Sequence, residues 1–209
     1  MKTTRGQIIV FFLCLIPIVQ VLALTASGNL SANPIQDVTL RSGRAAILLL
    51  VLSLSCTPLK NLLGLSALMP VRKVLGLGAF FYACVHFLIF AGLDFAFNVS
   101  WIMDEILQRL FIQIGLAALL FMIPLAITSI RQFQKRMGAA WVRLHRLAYP
   151  LSALAIWHYG LASKGDMLIP LIYGALFFGL MILRIPAFGR ISLLHRAAWL
   201  QSVNRFLLG

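Results

Sequence analysis

The chain has 209 residues, of which 61% are hydrophobic and only 11% charged, and its mean hydropathy is +0.96. A soluble domain carries about a quarter charged residues and under half apolar ones, so disorder, coiled coil and soluble enzyme are excluded and the solvent is largely lipid. The net charge of +13 sets 18 Lys and Arg against five Asp and Glu, but the basic residues fall between apolar runs rather than along one soluble face, which argues against a nucleic-acid partner.

Crossing a ~30 Å hydrocarbon core takes about 20 apolar residues. Six runs qualify in chain order: 7–25, 43–58, 74–93, 109–129, 144–163 and 168–184. The first has a rival reading as a cleaved leader, since Lys2 and Arg5 precede a run ending near Ala23 and Ala26. It is longer than a usual leader core and no small-x-small site follows, so a retained helix is expected. Pro58 is expected to end the second, short run. Cys14, Cys56 and Cys84 all sit inside apolar runs and read as packing residues. Residues 185–209 carry Arg190, His195, Arg196 and Arg205 among Leu, Ile, Phe and Trp, the pattern of an amphipathic helix on anionic lipid. Trp101 and Trp141 suit interface anchoring. No internal repeat or low-complexity tract stands out.

With the N-terminus inside, 14 basic residues fall in the cytoplasm, and four (Arg41, Arg44, Arg109, Lys164) fall outside. All five acids (Asp37, Asp94, Asp104, Glu105, Asp166) also fall outside. The expected fold is therefore an all-α integral membrane protein: a single domain of about six transmembrane helices with both termini cytoplasmic.

Ionisable residues inside a bilayer are costly and mark function by default. His86 lies seven residues before the outer end of the third run and His158 five before that of the fifth, roughly 10 and 7 Å below one surface. Two imidazoles at one level on different helices suit the two faces of a planar metal macrocycle. His145 lies 13 residues before His158, about 20 Å deeper but roughly 140° round a straight helix; Pro150 between them is expected to bend or rewind it. Fourteen residues before His86, on its own face, stands Arg72, a partner for a propionate or phosphate rather than an iron ligand. The plainer readings remain beside these: a membrane histidine can simply bond helix to helix, and His145 and His195 can be solvated interfacial residues. There is no His-Glu-x-x-His, Cys-x-x-Cys, phosphate loop, dinucleotide fingerprint or serine-triad context.

Several stretches carry a family resemblance: Asn33-Pro34 with Gly43-Arg44, Cys56-Thr57-Pro58-Leu59, Arg72-Lys73-Val74-Leu75-Gly76-Leu77 leading to His86, Met137-Gly138-x-x-Trp141-x-x-Leu144-His145-Arg146-Leu147-x-Tyr149, and Trp157-His158-Tyr159. Together they resemble the MsrQ (YedZ) family, the haem-binding membrane subunits of the periplasmic methionine sulfoxide reductase system, within the ferric-reductase-like transmembrane superfamily. The resemblance implies a haem b electron-transfer subunit with one or two haems, and FMN in family members. It implies His86 and His158 as axial ligands of an outer haem, with His145 for a second haem and Arg72 where that superfamily's fourth histidine stands. It further implies electrons from the quinone pool or a cytoplasmic flavin reductase, passed to a periplasmic molybdopterin-containing methionine sulfoxide reductase (MsrP-like) that repairs oxidised proteins. The chain itself would not reduce the sulfoxide. Two rival classes are a freestanding ferric or quinone reductase-type cytochrome b and a small non-redox transporter. Transporters tend to show repeats and helices broken at mid-membrane.

Overall fold

Local caps decide where the helices begin. Thr4 and Gln7 form a reciprocal capping box ahead of α1 (Arg5–Ala26). The Asn33 side chain accepts from Gln36 N–H at 3.1 Å, Pro34 takes the first helical position and Asp37 the first turn, so α2 (Pro34–Leu63) starts well before its apolar run. In the computed structural model, which describes residues 4–163, 165–185 and 198–208, the remaining elements are α3 (Leu68–Ile89) with a π-helical turn (Phe90–Asp94), α4 (Val99–Gln108), α5 (Leu110–Ile127), α6 (Arg131–Met137), α7 (Ala139–His145), α8 (Ala148–Ala162), α9 (Leu168–Ile182) and α10 (Ala198–Leu208). No strand occurs among the described residues.

Among the described residues, four helical stretches are long and apolar enough to cross a membrane: α1, α2, α3 with its π-helical turn, and α5. The fifth and sixth expected spans are α8 and α9, of 15 residues each, roughly 22 Å of helix. The fifth run is shortened because a turn at Arg146 and Leu147 separates α7 from α8. Pro150 sits in the first turn of α8, where its missing N–H costs nothing. The expected interruption between His145 and His158 is therefore present, just upstream of the proline.

Pro58 does not end α2, which runs on to Leu63. A proline withdraws the N–H that would bond the carbonyl four residues back. Here that carbonyl, Leu54, accepts from Arg184 Nη2 at 2.5 Å, while Arg184 Nη1 donates to the Tyr149 hydroxyl at 2.7 Å. A side chain from beyond α9 thus replaces the lost rung. Beside Pro17 in α1, the Tyr82 hydroxyl enters the ladder, accepting from Ile18 N–H (3.2 Å) and donating to the Cys14 carbonyl (2.7 Å).

The core lies in the antiparallel α2–α3 hairpin, where Ala45, Leu49 and Leu50 meet Val71, Leu75, Ala79 and Tyr82, and it is closed by Met122 of α5 and Leu151 of α8. Phe12, Ile16 and Val19 of α1 are exposed, as a lipid-facing helix requires. On one side of the bundle α10 docks rather than floating free. Asn204 Oδ1 accepts from Ala67 N–H at 2.9 Å, and the Arg5 guanidinium lies 5.7 Å over the Phe206 ring. Lys164, Arg190, His195 and Arg196 lie outside the described residues. On the opposite side α4, a helix the sequence does not announce, carries the exposed Trp101 and an Arg109–Glu105 ion pair.

Candidate metal centre

The imidazoles of His86 on α3 and His158 on α8 face each other with ring centres 6.1 Å apart and planes at 79°. His86 Nδ1 lies 2.9 Å from the Thr39 carbonyl and His158 Nδ1 2.7 Å from the Phe111 carbonyl. A carbonyl only accepts, so each Nδ1 carries the proton and each Nε2 keeps its lone pair. Both rings reach the backbone because a glycine lies one turn along: a Cβ on Gly43 would stand 3.1 Å from His86 Nδ1, and one on Gly115 would stand 2.8 Å from His158. The carbonyls and glycines therefore fix ring orientation and tautomer, as outer partners of metal-binding histidines do.

These two half-sites are copies. His86, Thr39 and Gly43 recur as His158, Phe111 and Gly115, each 72 residues on, with identical sequence separations inside each half. The cavity walls follow the same shift: Ala46 and Ala118, Leu50 and Met122, Ala83 and Ala155. The α2–α3 and α5–α8 hairpins are thus an internal repeat, which overturns the expectation that the chain has none. Its trace in the sequence is short: Gly-x-Ala-Ala at 43–46 and 115–118, then Ala-x-x-His at 83–86 and 155–158. The intervening apolar residues differ, because a lipid-bathed helix accepts many of them.

The outer cavity between the half-sites has a volume of about 550 Å³, within the range of cofactor sites. Two imidazoles sharing one metal through Nε2, with metal–nitrogen bonds of about 2 Å and about 1 Å from nitrogen to ring centre, stand roughly 6 Å apart. The observed 6.1 Å fits a haem iron between them. Sequence reasoning misses the charged lining of this cavity: Arg44, Asp94, Glu105 and Arg109. Arg44 Nε donates to the Tyr159 hydroxyl at 3.2 Å.

Arg72 and His145 line one smaller inner cavity of about 200 Å³, with Ser53, Lys73, Gln134 and Trp141. Arg72 Nη1 donates to Thr57 Oγ1 at 3.2 Å. Thr128 Oγ1 donates its single proton to the Pro124 carbonyl at 2.6 Å and lies 3.1 Å from His145 Nε2, so Nε2 is the donor there and Nδ1 holds the lone pair. Trp141 stacks on His145 at 4.0 Å, and its indole N–H bonds the Thr128 carbonyl at 2.9 Å. That turns Trp141 inward rather than to the membrane interface. No second imidazole faces His145 among the described residues, and these hold no cluster of three or more His, Cys, Asp or Glu.

A helical membrane bundle with paired imidazoles on facing helices defines a class of transmembrane electron carriers, and residues 42–156 match the family described as ferric reductase like transmembrane component. The chain is 41% identical over 187 residues to the protein-methionine-sulfoxide reductase heme-binding subunit MsrQ of Rhodospirillum rubrum, covering 88% of this chain and 90% of that one. It is 38% identical to the protein of the same name from Herminiimonas arsenicoxydans (88% and 86% covered) and 41% identical to that of Deinococcus radiodurans (83% and 87%). The chain belongs to the MsrQ family within that class. No solved structure matches it.

Proposed function

We propose that the chain is a haem b membrane electron-transfer subunit of a methionine sulfoxide reductase system, with its haem in the outer cavity between His86 and His158. The 6.1 Å spacing of the two imidazoles carries this reading, and the names of the relatives support it. Haem bound there supplies an iron that changes oxidation state one electron at a time. The residues do the rest. His86 and His158 would hold the iron through Nε2, and the Thr39 and Phe111 carbonyls, already bonded to each Nδ1, would keep the rings from reorganising. Apolar walls from both hairpins keep water away and help set the potential.

Electrons enter from the cytoplasmic side, from a quinol or a soluble flavin reductase, and leave to an MsrP-like periplasmic molybdoenzyme. The inner cavity lies on the entry side. Its volume favours a single-ring donor such as a quinol over a second haem or an FMN, with Arg72 as a cationic partner and the His145 Nδ1 lone pair as a proton acceptor. The chain crosses the bacterial inner membrane six times with both termini cytoplasmic; the 14-to-four distribution of basic residues supports this. The short α8 and α9 are accommodated by local thinning of the bilayer.

The test is a dithionite-reduced minus oxidised visible spectrum of the purified protein, with pyridine-haemochrome quantification. A low-spin b-type spectrum at one haem per chain is expected. A folded preparation that takes up no haem, even when haem is supplied, would overturn the electron-carrier reading.

A further inference from the structure

The outer cavity is built from two copies of one hairpin, yet its charge is not symmetric. Arg44 follows Gly43, the residue against the His86 ring, and its counterpart 72 residues on, behind Gly115, is Leu116. The Tyr159 hydroxyl that holds Arg44 Nε at 3.2 Å has Phe87 as its counterpart. At these matched positions one side of the box thus carries a guanidinium and a phenol where the other carries isobutyl and phenyl groups.

Among the described residues that guanidinium has no ion-pair partner. The ion pairs there are Arg41–Asp37 and Arg109–Glu105. The nearest acid on the same helix, Asp37, accepts from Arg41 Nε at 2.8 Å. Arg44 is left with one neutral hydrogen bond and its two terminal nitrogens without partners among the described residues. Arg44 is exposed on a cavity wall that also carries Asp94 and the paired Glu105 and Arg109, so its terminal nitrogens are open to a ligand charge entering the cavity. Arg44 lines the same cavity as His86 and His158, one residue from the level of an imidazole.

We propose that Arg44, braced by Tyr159, binds a carboxylate of the porphyrin held between His86 and His158, and so selects and orients a macrocycle with acidic side chains. The inference rests on the haem reading above. An asymmetric cation in a repeated box matches a macrocycle whose two carboxylates project from one edge. Guanidinium suits the task better than ammonium because its planar fork meets a carboxylate with two parallel bonds. The braced Nε leaves Nη1 and Nη2 for the ligand.

The experiment offers haem-depleted protein in detergent an equimolar mixture of protohaem and protohaem dimethyl ester. The ester keeps the iron and its axial valences but has no carboxylates. Bound porphyrin is then extracted and quantified for wild type, Arg44→Leu (the residue of the other half-site) and Arg44→Lys. Wild type is expected to prefer the free acid by about tenfold, as a charge-assisted pair would give. Arg44→Leu should take both porphyrins alike, and Arg44→Lys should keep part of the preference. A low-spin spectrum of the ester-loaded Arg44→Leu protein shows that the imidazole pair and fold are intact. If Arg44→Leu retained the wild-type preference, the assignment would be overturned and Arg44 would serve lipid headgroups instead. If wild type took up neither porphyrin, the haem reading would fall and this inference with it.

Discussion

His86 and His158 stand 6.1 Å apart at 79°, each ring fixed by one backbone carbonyl. Neither ring can rotate freely to change that angle. Near-perpendicular imidazole planes leave the two π-type d orbitals of a shared ferric iron close in energy, so the oxidised protein should give a strongly anisotropic low-spin EPR signal. His86→Ala and His158→Ala should each abolish it, together with the low-spin visible spectrum. An unchanged spectrum in either variant would disprove the axial pair.

The glycines behind the rings make a graded prediction. A methyl at Gly115 would meet His158 at 2.8 Å, whereas one at Gly43 would meet His86 at 3.1 Å. Gly115→Ala should therefore perturb the site more than Gly43→Ala, with weaker haem retention and a shifted midpoint potential. Overpacking at such contacts typically costs about 1–3 kcal/mol. Haem content after size-exclusion chromatography ranks the two variants, and equal retention would show that the rings are not held against these helices.

Arg184 and Pro58 should behave as a pair. Arg184→Met removes the donor to the Leu54 carbonyl and should cost about 1–3 kcal/mol, the penalty for an orphaned buried acceptor. Pro58→Ala restores the backbone N–H that reaches that carbonyl. The double variant should melt closer to wild type than Arg184→Met alone, read by thermal unfolding in detergent. Additive losses would mean that the guanidinium does not substitute for the missing rung.

His145 lies apart from the outer pair, its Nε2 committed to Thr128. His145→Ala should leave the outer low-spin spectrum in place and slow reduction of the haem by a quinol at least tenfold. Stopped-flow reduction in liposomes checks this. Unchanged reduction would demote His145 to a residue that only packs Trp141 against α5.

Part of the outer site is legible in the amino-acid sequence, and the reason is depth. The positions of His86 and His158 relative to the ends of their apolar runs follow from helix rise alone, and that places both at one level. Helix rise says nothing about which carbonyl a ring meets or which glycine lets it approach, so Thr39, Phe111, Gly43 and Gly115 carry no such signal. Apart from its place in the Gly43-Arg44 stretch of the family resemblance, Arg44 reads as an outer-side charge, because a charge count assigns a side of the membrane and not a cavity wall.

The repeat shows the same limit. Gly-x-Ala-Ala followed by Ala-x-x-His occurs twice at one spacing, but motifs of small residues are weak signals in a chain this apolar. Pro58 misleads for a related reason: the rule that proline ends a helix counts backbone donors only, and the replacement donor comes from Arg184, 130 residues from Leu54.

By itself the sequence determined that this is an all-helical membrane protein, that its basic and acidic residues segregate, and that two histidines share a depth. Hydrophobicity, charge and helical rise are local or additive properties, so one dimension records them. Tertiary structure decided that the two histidines face each other, that they sit in duplicated half-sites, and that Arg72 and His145 line a second, smaller cavity. Those relations depend on which helix faces meet and on hydrogen bonds such as those of His86 and His158, each to a carbonyl 47 residues away, which only packing in three dimensions fixes.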